Sequence, residues 1–171
     1  FDKEEAPTFA TSVGDHRHDD RLSSNRVEDF KRRQLVREEF IRRIERIDRK
    51  QLSDRDQVNL DIFARLQRDE VSELEFKTYL MPITNRGGFH VWFPELPKRV
   101  PLNSVGDYEN YIARLNDFGR HAGEHVTLMR EGIKGGAVLP AVVLEGYEGT
   151  ISPHIVEDPA KSLLYAPAYS F

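Results

Sequence analysis

The sequence predicts an all-α fold, a bundle-like domain of four to five helices with one long irregular connection rich in proline and glycine. Three observations lead there. Apolar residues recur at three- and four-residue steps over long stretches, two of those stretches open on a Ser-x-x-Asp pair, and no convincing set of alternating strands exists.

Residues 1–26 are polar and interrupted by Pro7 and Gly14, which predicts a short helix at most, followed by loop. From Val27 to about Lys50, Val36, Phe40, Ile44 and Ile47 recur at spacings of four, four and three, the pattern of an amphipathic helix. Nine basic and four acidic residues lie between Lys31 and Lys50. Glu38/Arg42, Glu39/Arg43 and Glu45/Arg49 stand four apart with the acid first, the favourable order, so the run reads as a solvated helix face. A nucleic-acid stripe would interleave aromatic stacking platforms, and none is present.

Ser53 and Asp56 form a capping-box variant that opens a second helix to about Tyr79, with Ile62, Phe63, Leu66 and Leu74 facing its core. Between Leu80 and Asn103, Pro82, Gly87, Gly88, Pro94, Pro97 and Pro101 rule out a long helix, and the apolar "FHVWF" suggests a buried short strand or hairpin. Ser104 and Asp107 begin the longest helix, from about Val105 to Lys134, ended by Gly135-Gly136. Its expected core stripe is Tyr108, Ile112, Leu115, Gly119, Ala122, Val126, Met129 and Ile133. Pro140 fits the first turn of a further helix through about Gly146, and the tail "SLLYAPAYSF" is apolar and aromatic.

The chain's 171 residues suffice for one domain with a core, so residues 1–171 are expected to form a single helical domain. A formal net charge of −4 offers no general field for nucleic acid. No apolar run approaches the roughly 18 residues of a membrane span, and the opening FDKEEAPTF lacks the pattern of a signal peptide. With no cysteine, disulfides, thiolate ligands and a cysteine nucleophile are excluded.

Three stretches offer chemistry. His121-Ala-Gly-Glu124-His125 reads H-x-x-E-H, with two imidazoles one helical turn apart that could share a zinc ion. A catalytic site needs a third ligand, and Glu145, Glu148, His154 and Glu157 are available without a supporting pattern; the favoured reading is two histidines at the edge of a helix–helix contact. "DHRHDD", with His16 and His18, reads as a solvated turn before a weak metal site. "RGGFH" offers amides, Arg86 and His90 to a carboxylate or phosphate, or is a bare turn. No H-E-x-x-H, phosphate-binding loop or nucleophile elbow occurs.

At "GDYENYIARLNDF", "LMREGIKGGAVLPAVVLEG" and "SLLYAP", with "APTFATSVGDHRHDDRL", "LSDRDQVNLDIF" and "YLMPITNRGGFH" before them, the sequence resembles the bacterial family DUF885 over essentially its whole length. Members of that family look like zinc metallopeptidases of the gluzincin type, longer than this chain, with H-E-x-x-H and a downstream glutamate in a C-terminal part. The resemblance therefore implies a non-catalytic N-terminal helical region, no catalytic residue and no cofactor in this chain, and zinc only in the complete protein. It implies Asn85, Arg86, Gly87, Gly88 and His90 as candidates for the wall of a substrate cleft. The implied partners are the C-terminal catalytic region, a peptide substrate of the complete protein, or a second copy met through exposed apolar surface. A periplasmic or cell-envelope location accompanies them. The alternatives are a self-contained metal-dependent hydrolase using His121, Glu124 and His125, and a helical self-association module.

Overall fold

A computed structural model describes residues 1–169, and helices with turns account for nearly all of it. The α-helices are α1 (Asp2–Glu5), α2 (Pro7–Ser12), α3 (Val27–Glu45), α4 (Asp54–Glu75), α5 (Phe89–Trp92), α6 (Val105–Gly135) and α7 (Ala141–Leu144), with short 3-10 turns between and after them. Among the described residues the only strand-like pairing is an isolated antiparallel bridge between Ile83 and Gly88. The fold is all-α, as the sequence implies.

The chain divides into two compact units, Asn25–Leu80 and a discontinuous one made of Phe1–Ser24 with Met81–Phe171. Asn25–Leu80 is a helical hairpin. Helix α3 stops at Glu45, two residues before Ile47, and Ser53 caps α4 by accepting the Asp56 amide at 3.2 Å. Val36, Phe40 and Ile44 lie on the partly buried face of α3 as expected, while Ile47 falls past the helix and is exposed.

On α4 the expected core face needs correction. Ala64 and Gln67 are buried, and Leu60, Val71 and Leu74 are half-buried beside them, whereas Ile62, Phe63 and Leu66 are exposed. The small Ala64 brings the helices close, and Gln67 accepts a 2.8 Å hydrogen bond from Arg37 of α3. The bulky residues were the visible period, but the tight contact selects the face with the small one. The ion pairs differ too: Arg42 meets Glu39 at 2.9 Å, and Arg49, beyond the end of α3, forks onto Asp61 of α4.

In the discontinuous unit Ser104 and Asp107 form the reciprocal capping box that starts α6, and Gly136 ends it in the left-handed conformation at φ 73°. Helix α7 is shorter than expected: Glu145 leaves the helical region at ψ 123°, and Gly146, at φ 78°, starts the next turn. "FHVWF" is α5 and the start of a 3-10 turn, in place of a strand or hairpin, with Gly88 before it and Pro94 inside the turn that follows. The core consists of Leu22, Phe93, Leu96 and Tyr111, with Trp92, Leu115, Phe118 and Leu164 packed around them. Phe93 stacks on Phe118 with centroids 3.8 Å apart.

The expected stripe of α6 is rotated from the real one. Tyr111, Arg114, His121, Leu128 and Gly132 are buried, while Ile112 and Ile133 are exposed. The tail docks on α6 through two tyrosine hydroxyls, Tyr108 donating to the Pro167 carbonyl at 3.0 Å and Tyr111 to the Leu164 carbonyl at 2.6 Å. Leu163, Tyr165 and Tyr169 of that tail stay exposed, and its last two residues lie outside the described ones.

Candidate functional site

The buried face of α6 is polar because of what it packs against. Residues 18–23 run as a turn and an extended stretch outside helix and sheet, where side chains take part in the backbone hydrogen bonding. Side chains of α6 supply them. Arg114, 1% exposed, donates to the carbonyls of His18 at 3.2 Å and Arg21 at 3.2 Å and to Thr11 Oγ1 at 2.7 Å, and it pairs with the buried Asp19 at 3.4 Å. Asp117 accepts the Leu22 amide at 2.9 Å, and Arg120 donates to the Leu22 carbonyl at 3.3 Å. His121 meets the Ser23 carbonyl at 3.1 Å. Arg120 is itself held between Asp117 and Glu124, at 2.6 and 2.9 Å, and its guanidinium keeps the Asp117 carboxyl below the usual range.

The candidate metal residues are placed by this seam. A carbonyl only accepts, so Nδ1 of neutral His121 carries its proton toward Ser23, and its Nε2 is left as an acceptor. His125 Nε2 stands 3.2 Å from it and must donate. Nδ1 of His125 is then a bare acceptor, buried with no hydrogen-bond partner among the described residues. Burial lowers the pKa of both imidazoles, that of His125 to about 4 with help from neighbouring His121, so both are neutral near pH 7.

The second candidate set leads into Phe89, which meets both His90 and the histidine pair. Thr84 Oγ1 accepts the amides of Arg86 and Gly87 at 3.2 and 2.9 Å, closing a tight turn. Asn85 ties that turn to the chain after α6, its amide to the Val143 carbonyl at 2.9 Å and its side chain to the Glu145 carbonyl at 3.1 Å. Gly88 sits at φ 131°, where a Cβ would lie 2.6 Å from the Pro82 carbonyl, so only glycine fits. The turn delivers Phe89 parallel to His125 at 4.4 Å and Trp92 edge-on to His121 at 5.5 Å. His90 is buried, and neither ring nitrogen has a hydrogen-bond partner among the described residues; burial lowers its pKa against a smaller opposing effect of the Thr84 backbone. Arg86 remains exposed at the tip.

The cluster is thus an aromatic box around two neutral histidines. It offers a metal two nitrogens. Glu124 is engaged by Arg120, and among the described residues no group of three His, Cys, Asp or Glu side chains is arranged to hold an ion. Glu145, Glu148, His154 and Glu157 do not join the pair. The donor set does not fit a catalytic zinc, which takes three protein ligands.

In "DHRHDD" two of the three acids are committed to neighbours, Asp15 clamped by Arg17 at 2.7 Å and Asp19 by Arg114, by Thr11 and by His16 at 2.7 Å, while Asp20 is exposed. Arg114 is the residue the sequence reading missed. Its signal was its spacing, three after Tyr111 and seven before His121 on one helix face.

Residues 7–170 match the model of a family described as "Bacterial protein of unknown function (DUF885)". The chain belongs to that family. No curated protein and no solved structure matches this DUF885 chain. No helix among its described residues is long and apolar enough to cross a membrane.

Proposed function

We propose that this DUF885 chain is a non-catalytic helical scaffold of a zinc-peptidase-like protein, whose chemistry belongs to a C-terminal catalytic region. The observation that carries the reading is the polar seam of α6: Arg114, Asp117, Arg120 and His121 all spend hydrogen bonds on the backbone of residues 18–23, a structural use of the groups a catalyst would need. Asn85, Arg86, Gly87, Gly88 and His90 then contribute to a wall of the peptide cleft. Support comes from the turn that fixes them and from the exposed guanidinium of Arg86. Exposed Ile112 and Ile133 on α6, with Val138 and Val142 after it, offer the catalytic region an apolar seat. A periplasmic or cell-envelope setting goes with this reading. Its test is a peptidase assay on the chain with added zinc. No cleavage is expected, and zinc-dependent turnover abolished by Glu124→Gln would establish the metal-hydrolase alternative instead.

A second reading, self-association, is favoured by a specific observation: Val58, Ile62 and Leu66 form a continuous exposed stripe on α4.

A further inference from the structure

We propose that α4 is a homodimer interface on which two copies of this chain pair antiparallel about a two-fold axis at Ile62. The inference rests on the self-association reading and adds the face, the register and the symmetry. Val58, Ile62 and Leu66 recur at four-residue steps and are 55%, 55% and 54% exposed, while Ala64 and Gln67 take the opposite, buried side. At about 100° per residue, Val58 and Leu66 lie roughly 40° to either side of Ile62 and make one stripe.

The charges at its ends choose the partner. Arg55 and Asp69 each stand seven positions from Ile62, so they lie within about 20° of its direction on the helix. A two-fold axis through Ile62 places Val58 against Leu66 of the other copy and Arg55 against its Asp69, and symmetry repeats both contacts. A parallel pairing would set Arg55 against Arg55 and Asp69 against Asp69, which repels at both ends. The helix is therefore complementary to itself in one orientation only. Asp69 now meets Arg65 of its own helix at 3.4 Å with both side chains highly exposed, a pair of little worth that yields readily. No Gly or Pro interrupts α4, so the stripe is presented on a rigid rod.

The test is sedimentation equilibrium of the whole chain over a range of concentrations. A dimer is expected, and Ile62→Glu should leave a monomer with unchanged far-ultraviolet circular dichroism, since the side chain is exposed. Arg55→Glu and Asp69→Arg should each weaken the dimer roughly tenfold, and the double variant should restore it. A strict monomer overturns both this inference and self-association. A dimer indifferent to Ile62→Glu overturns the inference and leaves self-association through another surface. A double variant no tighter than the singles overturns the antiparallel register.

Discussion

At the scale of single residues, the histidine pair makes stability depend on pH with a definite sign. Both imidazoles are neutral in the folded chain, with pKa values pushed down, that of His125 to about 4, while in the unfolded chain each returns to about 6.5. The unfolded state binds more protons below the unfolded pKa, so their contribution is full above about pH 6.5 and declines as pH falls, that of His125 being lost toward pH 4. The urea midpoint should therefore decline between pH 7 and pH 5, and His125→Gln should flatten that slope. An unchanged slope in the variant would show that the pair does not titrate as its burial requires. Local backbone chemistry was legible at this scale. Ser53, Ser104 and Gly136 occupy the caps their neighbours announced, because capping is decided within four residues.

At the scale of elements, helix positions were readable and helix faces were not. The apolar period of α6 pointed to Ile112 and Ile133, yet its buried face carries Arg114 and His121. A hydrophobic count treats those two as solvent-facing, whereas their hydrogen bonds to the backbone of residues 18–23, and for His121 the rings of Phe89 and Trp92, account for their burial. The same blindness hid Ala64 and Gln67 on α4. The hairpin Asn25–Leu80 consequently holds few buried apolar side chains, Ala64 and Leu80 alone reaching that state. So small a core cannot offset the ordering entropy of two long helices. Excised, Asn25–Leu80 should show partial helicity in circular dichroism and a broad thermal melt; a sharp cooperative transition would contradict this.

At the scale of the whole molecule, Arg114 binds sequence-distant segments into one unit. Removing it by Arg114→Ala strips Asp19 of its buried counter-charge and leaves the carbonyls of His18 and Arg21 without their donor. A loss of about 3–5 kcal/mol is expected from equilibrium denaturation, and a loss under 1 kcal/mol would mean that residues 18–23 hold their place by other means. His121, Glu124, His125 and residues 85–90 were nameable from the sequence, and Arg114 was not. That His90, His121 and His125 all meet Phe89 was not legible, since nothing local connects residues 89–90 with the histidine pair.

The seam between α6 and residues 18–23 also imposes an order on the birth of the chain. Asp19 leaves the ribosome 95 residues ahead of Arg114, which at about 5–20 residues per second is a wait of roughly 5–20 s. The whole hairpin emerges in the interval, since it lies between the two halves of that unit. Throughout that time Thr11, Asp19 and the carbonyls around them make their hydrogen bonds to water, and they exchange water for Arg114 only when α6 has emerged.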